Sequence, residues 1–469
     1  MTASVRAWCK YLPAAAWLAV APAAAEDEES PGSTAHSVAA LAGPALATST
    51  SPGEEYRRHY REALANGELV EAETAAKQRL DLLVHAGGTG YGVMADALAD
   101  LAHVQGRREL YVPAVANYEA AIALLEQGED RLSASLVEPL VALAGIHAAS
   151  GRPELALPVY ERALHVTQVN AGPHTLGQVE ILDAMTDALE ATGRDAAALQ
   201  AVDRMFWLYA RAFSPDSEEV LPALHRKAEL YRTLERYADE RNVYREITRI
   251  IKSRRGEHHL SLLDVYSAMG RTYFHDLDDV YFRSEPTTET GETFLRRAVE
   301  VTEQNPHATW QMQQKALFEL ADYYTLRNVQ DKARMRYRRA WELLSADEER
   351  LEHRRRGLER VVPLLGVNLD PVANFGYRSS NEETDPADYQ QGYVVARFTV
   401  NDRGRTTDIR IVDADPPGFT AMETRVRQAV RRLIFRPRYV DGEPVHTPDR
   451  EFRHEFRYRA ADFEAFARE

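Results

Sequence analysis

Cysteine is almost absent from this chain: Cys9 stands alone in 469 residues. A single thiol leaves no intramolecular disulfide, so the protein must hold itself together by burial, and its length is enough for two or more cores. Lysine is scarce too, and arginine carries nearly all of the positive charge. That bias reads as the mark of a GC-rich coding sequence rather than of phosphate binding. The formal net charge of −15 argues against a general affinity for nucleic acid or an anionic membrane. Beyond the first 25 residues no apolar run approaches the length that spans a bilayer.

Catalytic patterns are missing as well. No Gly-x-Ser-x-Gly elbow is present. The glycine-rich run Ala86 to Gly92 follows a helical segment and lacks the lysine of a phosphate-binding loop, so it reads as a flexible connector. His258 and His259 follow Glu257 without HExxH spacing or a third ligand nearby, which fits a turn better than zinc. Glu161 and Glu229 sit on arginine-rich helical faces, where solvated ion pairs are the default. No catalytic residue, cofactor-binding residue or metal ligand is assigned, and the chain is not expected to be an enzyme.

What is present begins with a leader. Arg6 and Lys10 precede the apolar stretch Leu12 to Val20, and Ala23-Ala24-Ala25 offers a cleavage site, so residues 1–25 read as a signal peptide. As a retained anchor, Tyr11 to Ala25 would reach only roughly 22 Å against a hydrocarbon core of ~30 Å. Cys9 lies before the apolar stretch and is badly placed for lipidation. Residues 26–53 are acidic, then rich in Ala, Ser, Thr, Pro and Gly, and are expected to be disordered.

An internal repeat occupies residues 54–360. Small or helix-forming residues recur 42 apart at Ala72, Ala114, Ala156, Ala198 and Glu240, and again at Gly291 and Ala333; the step from 240 to 291 is 51, an insertion of nine residues around Asp276 to Gly291. In Ala114-Tyr118-Ala121, Ala156-Tyr160-Ala163 and Ala333-Tyr337-Ala340 the spacing of four then three puts all three residues on one helical stripe. Elsewhere the stripe degenerates: Val202 and Met205 replace the aromatic and the alanine in one repeat, and in the next Tyr244 keeps the aromatic while Ile247 ends the triad. Leu101-Ala102, Leu143-Ala144 and Leu320-Ala321 mark the preceding helices, and Gly106, Gly151 and Gly193 are expected to end them in the left-handed conformation. The period and grammar resemble a tetratricopeptide array of the long kind found in kinesin light chain, with Asn170 to His174 and Arg255 to His259 at the positions of the Gly-x-x-His-like turns. Arg350 to Arg360 is expected as a charged capping helix, and residues 361–391 as a linker.

Residues 392–469 change character. Val394, Ala396, Phe398 and Val400 alternate with Tyr393, Val395, Arg397 and Thr399 as in a half-buried strand. Asn401 to Gly404 supplies a turn, and a second strand places Ile409 and Ile411 inward. After Pro416-Pro417-Gly418, Thr420 and Glu423 suggest a capping box for a helix burying Phe419, Met422, Val426, Val430 and Leu433. A last strand alternates Phe452, His454, Phe456 and Tyr458 with Glu451, Arg453, Glu455 and Arg457.

The glycine hairpin, Phe435-Arg436-Pro437, Asp441-Gly442-Glu443-Pro444-Val445 and this order of elements resemble the C-terminal domain of the TonB energy transducers. The resemblance implies binding of proteins or peptides, among them outer-membrane transporters, by strand addition, and residence in the periplasm of a Gram-negative cell. Here a helical array stands where that family has an anchor and a proline-rich spacer. Were residues 1–25 retained, the chain would contact the inner membrane as an anchored transducer for transmembrane transport. The expected architecture is α+β overall: an all-α superhelical array followed by a small α+β domain with an antiparallel sheet. The edge Glu451, Phe452, Arg453, His454, Glu455, Phe456, Arg457 and Tyr458 is the candidate protein-binding site.

Overall fold

In the computed structural model, residues 52–86, 90–275, 290–366, 369, 389–460 and 463 are described. The leader, almost all of the acidic tail, Gly87 to Thr89, most of the insertion and most of the linker lie outside them. The remainder forms two compact units. The helical one runs to Tyr324 and resumes over Asp331–Leu343; the other comprises Thr325–Gln330 and the residues from Leu344 onward.

Fourteen helices make seven sequential pairs: α1 (Pro52–Asn66) with α2 (Leu69–Ala86), α3 (Tyr91–Arg107) with α4 (Tyr111–Gly128), α5 (Val137–Ala149) with α6 (Pro153–Ala171), α7 (Val179–Ala191) with α8 (Asp195–Ala212), α9 (Leu221–Thr233) with α10 (Tyr237–Arg255), α11 (Ser261–His275) with α12 (Gly291–Gln304), and α13 (Trp310–Leu326) with α14 (Gln330–Leu343). Each 42-residue landmark falls near the start of a second helix and is buried: Ala72, Ala114, Ala156, Ala198, Glu240, Gly291 and Ala333. The Ala-Tyr-Ala stripes are buried throughout, with Tyr118, Tyr160 and Tyr337 each at most 3 % exposed. Small residues let the neighbouring helix close in and the ring fills the space beside them. In the degenerate unit Val202 and Met205 stand at those positions and are buried too.

The turns inside the pairs correct one expectation. Gly151 and Gly193 do take positive φ, at 76° and 69°. Gly106 does not: it lies within α3, and the left-handed residue of that turn is Glu109 at φ 61°. A Cβ at Gly106 would stand 2.3 Å from Ile146 Cδ1, so this glycine serves a close approach of α3 and α5. The left-handed positions themselves keep the period, at Gly67, Glu109, Gly151, Gly193 and Glu235, with Asn328 in the last pair. Gly172 and Gly256, the C-caps of α6 and α10 in the Gly-x-x-His-like turns, have φ of 87° and 94°.

The C-terminal unit contains α15 (Glu348–Gly357), β1 (Val362–Leu365), β2 (Gln390–Val400), β3 (Thr406–Asp415), α16 (Thr420–Arg432), β4 (Ile434–Arg436), β5 (Arg438–Val440), β6 (Glu443–Val445) and β7 (Thr447–Tyr458). Its main sheet is antiparallel in the order β3-β2-β7; β1 pairs with β4, and β5 with β6. β1 lies within the stretch expected as linker. Tyr439 N donates to Leu358 O at 2.7 Å and the Arg436 guanidinium to Gly357 O at 2.9 Å, so the end of the expected capping helix is bonded to this unit.

One face of the sheet packs on α16. Val394, Ala396, Phe398, Val400, Phe456 and Tyr458 meet Phe419, Met422, Val426 and Val430 in one core, each large side chain contributing roughly 1.5–3 kcal/mol by burial. Ile409 and Ile411 pack against it from β3 while remaining partly exposed. The expected capping box is absent. Thr420 is the first helical residue, the N-cap is Phe419, and no side chain caps the end. Phe419 is fully buried against Phe456 and Tyr458, and seating that ring sets where the helix begins.

Candidate functional site: the free edge of β7

All eight residues singled out in the last strand lie on β7, and the alternation sorts them by face. Glu451, Arg453, Glu455 and Arg457 are exposed; Phe452 is half-buried, and His454, Phe456 and Tyr458 are buried. His454 stacks on Phe456 with ring centroids 5.8 Å apart, which places it among the apolar side chains.

On one side β7 pairs with β2 without a break from Arg450, opposite Phe398, to Tyr458, opposite Gln390. Its other side has no strand partner among the described residues. The run is bounded at its start by a register shift and by Asp449 at φ 55°. The opposite edge of the sheet differs. β3 shifts register against β2 twice, and Asp408 has φ 52°. Such bulges blunt an edge against further pairing, so β7 is the more regular of the two free edges.

The exposed face is knit across strands. Arg397 on β2 donates to Glu451 at 2.8 and 3.1 Å, and the Arg453 guanidinium lies 3.9 Å from the centroid of the Tyr393 ring. Tyr393 donates to Asp413 on β3 at 3.0 Å, and that hydrogen bond holds its hydroxyl above the ordinary tyrosine range. Arg453 also donates to Glu455 at 3.0 Å. These contacts tie the exposed face of β7 to β2 and, through Tyr393, to β3.

The hairpin behind the site is locked from the other motif. A Cβ on Gly404, at φ 74°, would lie 1.9 Å from Phe435 O, and Phe435 N donates to Gly404 O at 2.9 Å. The glycine turn and the Phe-x-Pro segment are thus one packing unit, which fixes where β2 turns into β3.

Within the array, sequence reading named no groove residue. The structure gathers a charged cleft of about 410 Å³, walled by Val179, Met205, Tyr209 and His225. Arg226 on α9 donates to Asp183 at 3.0 Å, to Glu190 at 2.9 Å and also to Asp187, all on α7. Burial pushes the Asp187 and Glu190 carboxyls above their ordinary range in spite of that arginine. The signal in the sequence was the spacing Asp183-Asp187-Glu190 on one helical face, which needs α9 beside it to acquire meaning. Among the described residues no cluster of His, Cys, Asp and Glu is placed to hold a metal ion, and no helix is long and apolar enough to cross a membrane.

Residues 387–458 match the family described as Gram-negative bacterial TonB protein C-terminal. Comparison with curated proteins finds no match to the chain. Among solved structures, a putative kinesin light chain with nearly identical TPR-like repeats from Podosopora anserina is 16% identical, covering 44% of this chain and 100% of its own, with a TM-score of 0.40. BtubC (BKLC) from P. vanneervenii is 16% identical over 58% of this chain and 98% of its own, at 0.36. The apo form of RapI is 12% identical over 64% and 99%, at 0.38. These likenesses are low, and the repeat assignment rests on the helix pairs and their 42-residue period. The chain carries a TonB-family C-terminal domain behind an array of tetratricopeptide-type helix pairs.

Proposed function

We propose that this is a non-catalytic adaptor of the Gram-negative envelope, in which the array recruits one protein and the C-terminal domain captures a segment of another as a strand added to β7. The observation that carries this reading is the nine-residue unbroken run of β7, at the opposite edge of the sheet from a bulged β3. An added strand would take its affinity from main-chain hydrogen bonds and its selectivity from the side chains at alternate positions. Glu451, Arg453, Glu455 and Arg457 protect such an edge from indiscriminate pairing while leaving it open to a matching segment. By family, the matching segment belongs to an outer-membrane transporter, and the chain acts in the periplasm after loss of residues 1–25.

The test is site-specific photocrosslinking in cells. A crosslinker replacing Arg453 or Glu455 should capture an outer-membrane transporter, and one replacing Arg410 on β3 should not. Arg450→Pro and Arg453→Pro remove backbone donors of opposite parity, so one of the two removes a donor that points away from β2. That variant should lose the crosslink. Capture that persists in both, or that maps instead to the cleft around Arg226, would refute the reading.

A further inference from the structure

At the 42-residue landmarks the array places alanine or glycine, except for Glu240, whose side chain is carried into the core at 2 % exposed. Its Oε2 makes no hydrogen bond. Three guanidiniums lie about it, Arg232 on α9, Arg271 on α11 and Arg241 on α10. Each is engaged elsewhere. Arg232 donates to Glu229 at 3.2 Å, Arg271 to Glu319 at 3.0 Å, and Arg241 to Thr272 at 3.3 Å while lying 4.5 Å from the centre of the Tyr273 ring. Tyr244 is buried one turn further along α10, next to Glu229, and packs edge-on against His225 of α9.

We propose that Glu240 is a proton-driven latch on Arg232: protonated, it leaves that guanidinium on Glu229 at the wall of the array cleft, and ionised, it draws the guanidinium inward and strips Glu229 of it. Burial pushes the Glu240 carboxyl up to about 7, so both states are reached near neutrality. A buried carboxylate that ionises needs a cation, and Arg232 is the one the fold can spare. Arg232 and Glu229 are both about half exposed, and such surface pairs add little to stability. Arg232 also exerts the strongest pull of the three on Glu240. Withdrawing Arg271 would leave Glu319 unpaired, a largely buried carboxyl whose Oε2 already lacks a bond. Arg241 follows Glu240 directly in the helix, so its side chain is turned away by about 100°, and it is held by Thr272 of α11.

The latch acts on the cleft because Glu229 lines it together with Asp183 and Arg226. Below the switching point Arg232 matches the charge of Glu229. Above it, Glu229 keeps only Arg226, at 3.6 Å, which already serves Asp183, Asp187 and Glu190. A proton bound in the core thus sets the charge shown in the cleft, which becomes more negative as pH rises. The device belongs to the array alone and stands whether or not the array recruits a protein.

Chemical denaturation of the full chain and of Glu240→Gln, from about pH 5 to about pH 10, reads the latch. The stability difference between the two should grow with pH and level off at the folded-state value of the carboxyl. With Arg232→Gln added to both chains the proton is held more tightly, and that levelling should move up by about one pH unit, a tenfold change in proton affinity. Arg271→Gln, added in the same way, should move it less. No movement with Arg232→Gln, or an equal movement with Arg271→Gln, overturns the proposal. Crystal structures of the full chain at about pH 5.5 and about pH 9 give a second readout: the Arg232 guanidinium should lie on Glu229 in the first and on Glu240 in the second, and stay on Glu229 at both in Glu240→Gln. Arg232 on Glu229 in both structures of the unmodified chain would equally overturn it.

Discussion

The amide of Phe435 donates to the carbonyl of Gly404 at 2.9 Å, and no side chain fits between the two backbones. Gly404→Ala should therefore cost at least about 2 kcal/mol, from the left-handed conformation and the collision together. Gly404→Asn tolerates the positive φ yet still carries a Cβ, so it should rescue little. Thermal melts of the two variants decide the matter; full recovery by asparagine would mean that φ alone constrains the site.

Glu240 stands where six other units place Ala or Gly, and it is 2 % exposed with Oε2 unbonded. Burial pushes its carboxyl up to about 7, against the pull of Arg232 on α9, Arg271 on α11 and Arg241 on α10. A folded-state value above the ordinary one means that the folded chain holds a proton that the unfolded chain releases. Its stabilising contribution is present below the ordinary carboxyl range and is lost as pH rises through the folded value, on the order of 3 kcal/mol in all. Chemical denaturation of the full chain and of Glu240→Gln should diverge progressively between those limits, the variant being the more stable at high pH. Parallel curves at every pH would show that this carboxyl does not titrate in that window.

Glu109 and Glu235 occupy left-handed turns that other units fill with glycine, at φ 61° and 57°. Glu109→Gly and Glu235→Gly should each raise stability by about 0.5–1 kcal/mol. Gly106→Ala should change it little, because only the end of the Ile146 side chain must move and the helix gains alanine's propensity. Melts of the three variants check this; a gain at Gly106 as large as at the left-handed positions would show that Ile146 gives way at no cost.

Tyr160 is 3 % exposed in the centre of the array core. Tyr160→Ala should cost about 3–5 kcal/mol. Hydrogen exchange should loosen in α5 and α7 as well as in α6, because each unit is buried only against its neighbours. Exchange confined to α6 would count against that coupling.

The 42-residue period, the Ala-Tyr-Ala stripe and the alternation of β2 and β7 were legible in the sequence because each is a local pattern. Helical and strand periodicities sort residues by face within one element, whatever that element packs against. The sequence therefore determined the helix pairs, their register and the buried face of the C-terminal sheet.

Tertiary structure decided what those local patterns leave open. The alternation of β7 reads alike in a central strand and an edge strand; only the order β3-β2-β7 leaves one of its sides without a strand among the described residues. Gly106 reads as a helix-ending glycine until α5 brings Ile146 against it. Thr420 and Glu423 have the spacing of a capping box, but the buried ring of Phe419 sets the helix start one residue earlier. Glu240 follows the repeat period as closely as any alanine, and its raised proton affinity exists only because packing of the array removes it from water. Edge, close approach, cap and pKa all depend on what lies beside a residue in space, and that neighbour is fixed by folding rather than by spacing along the chain.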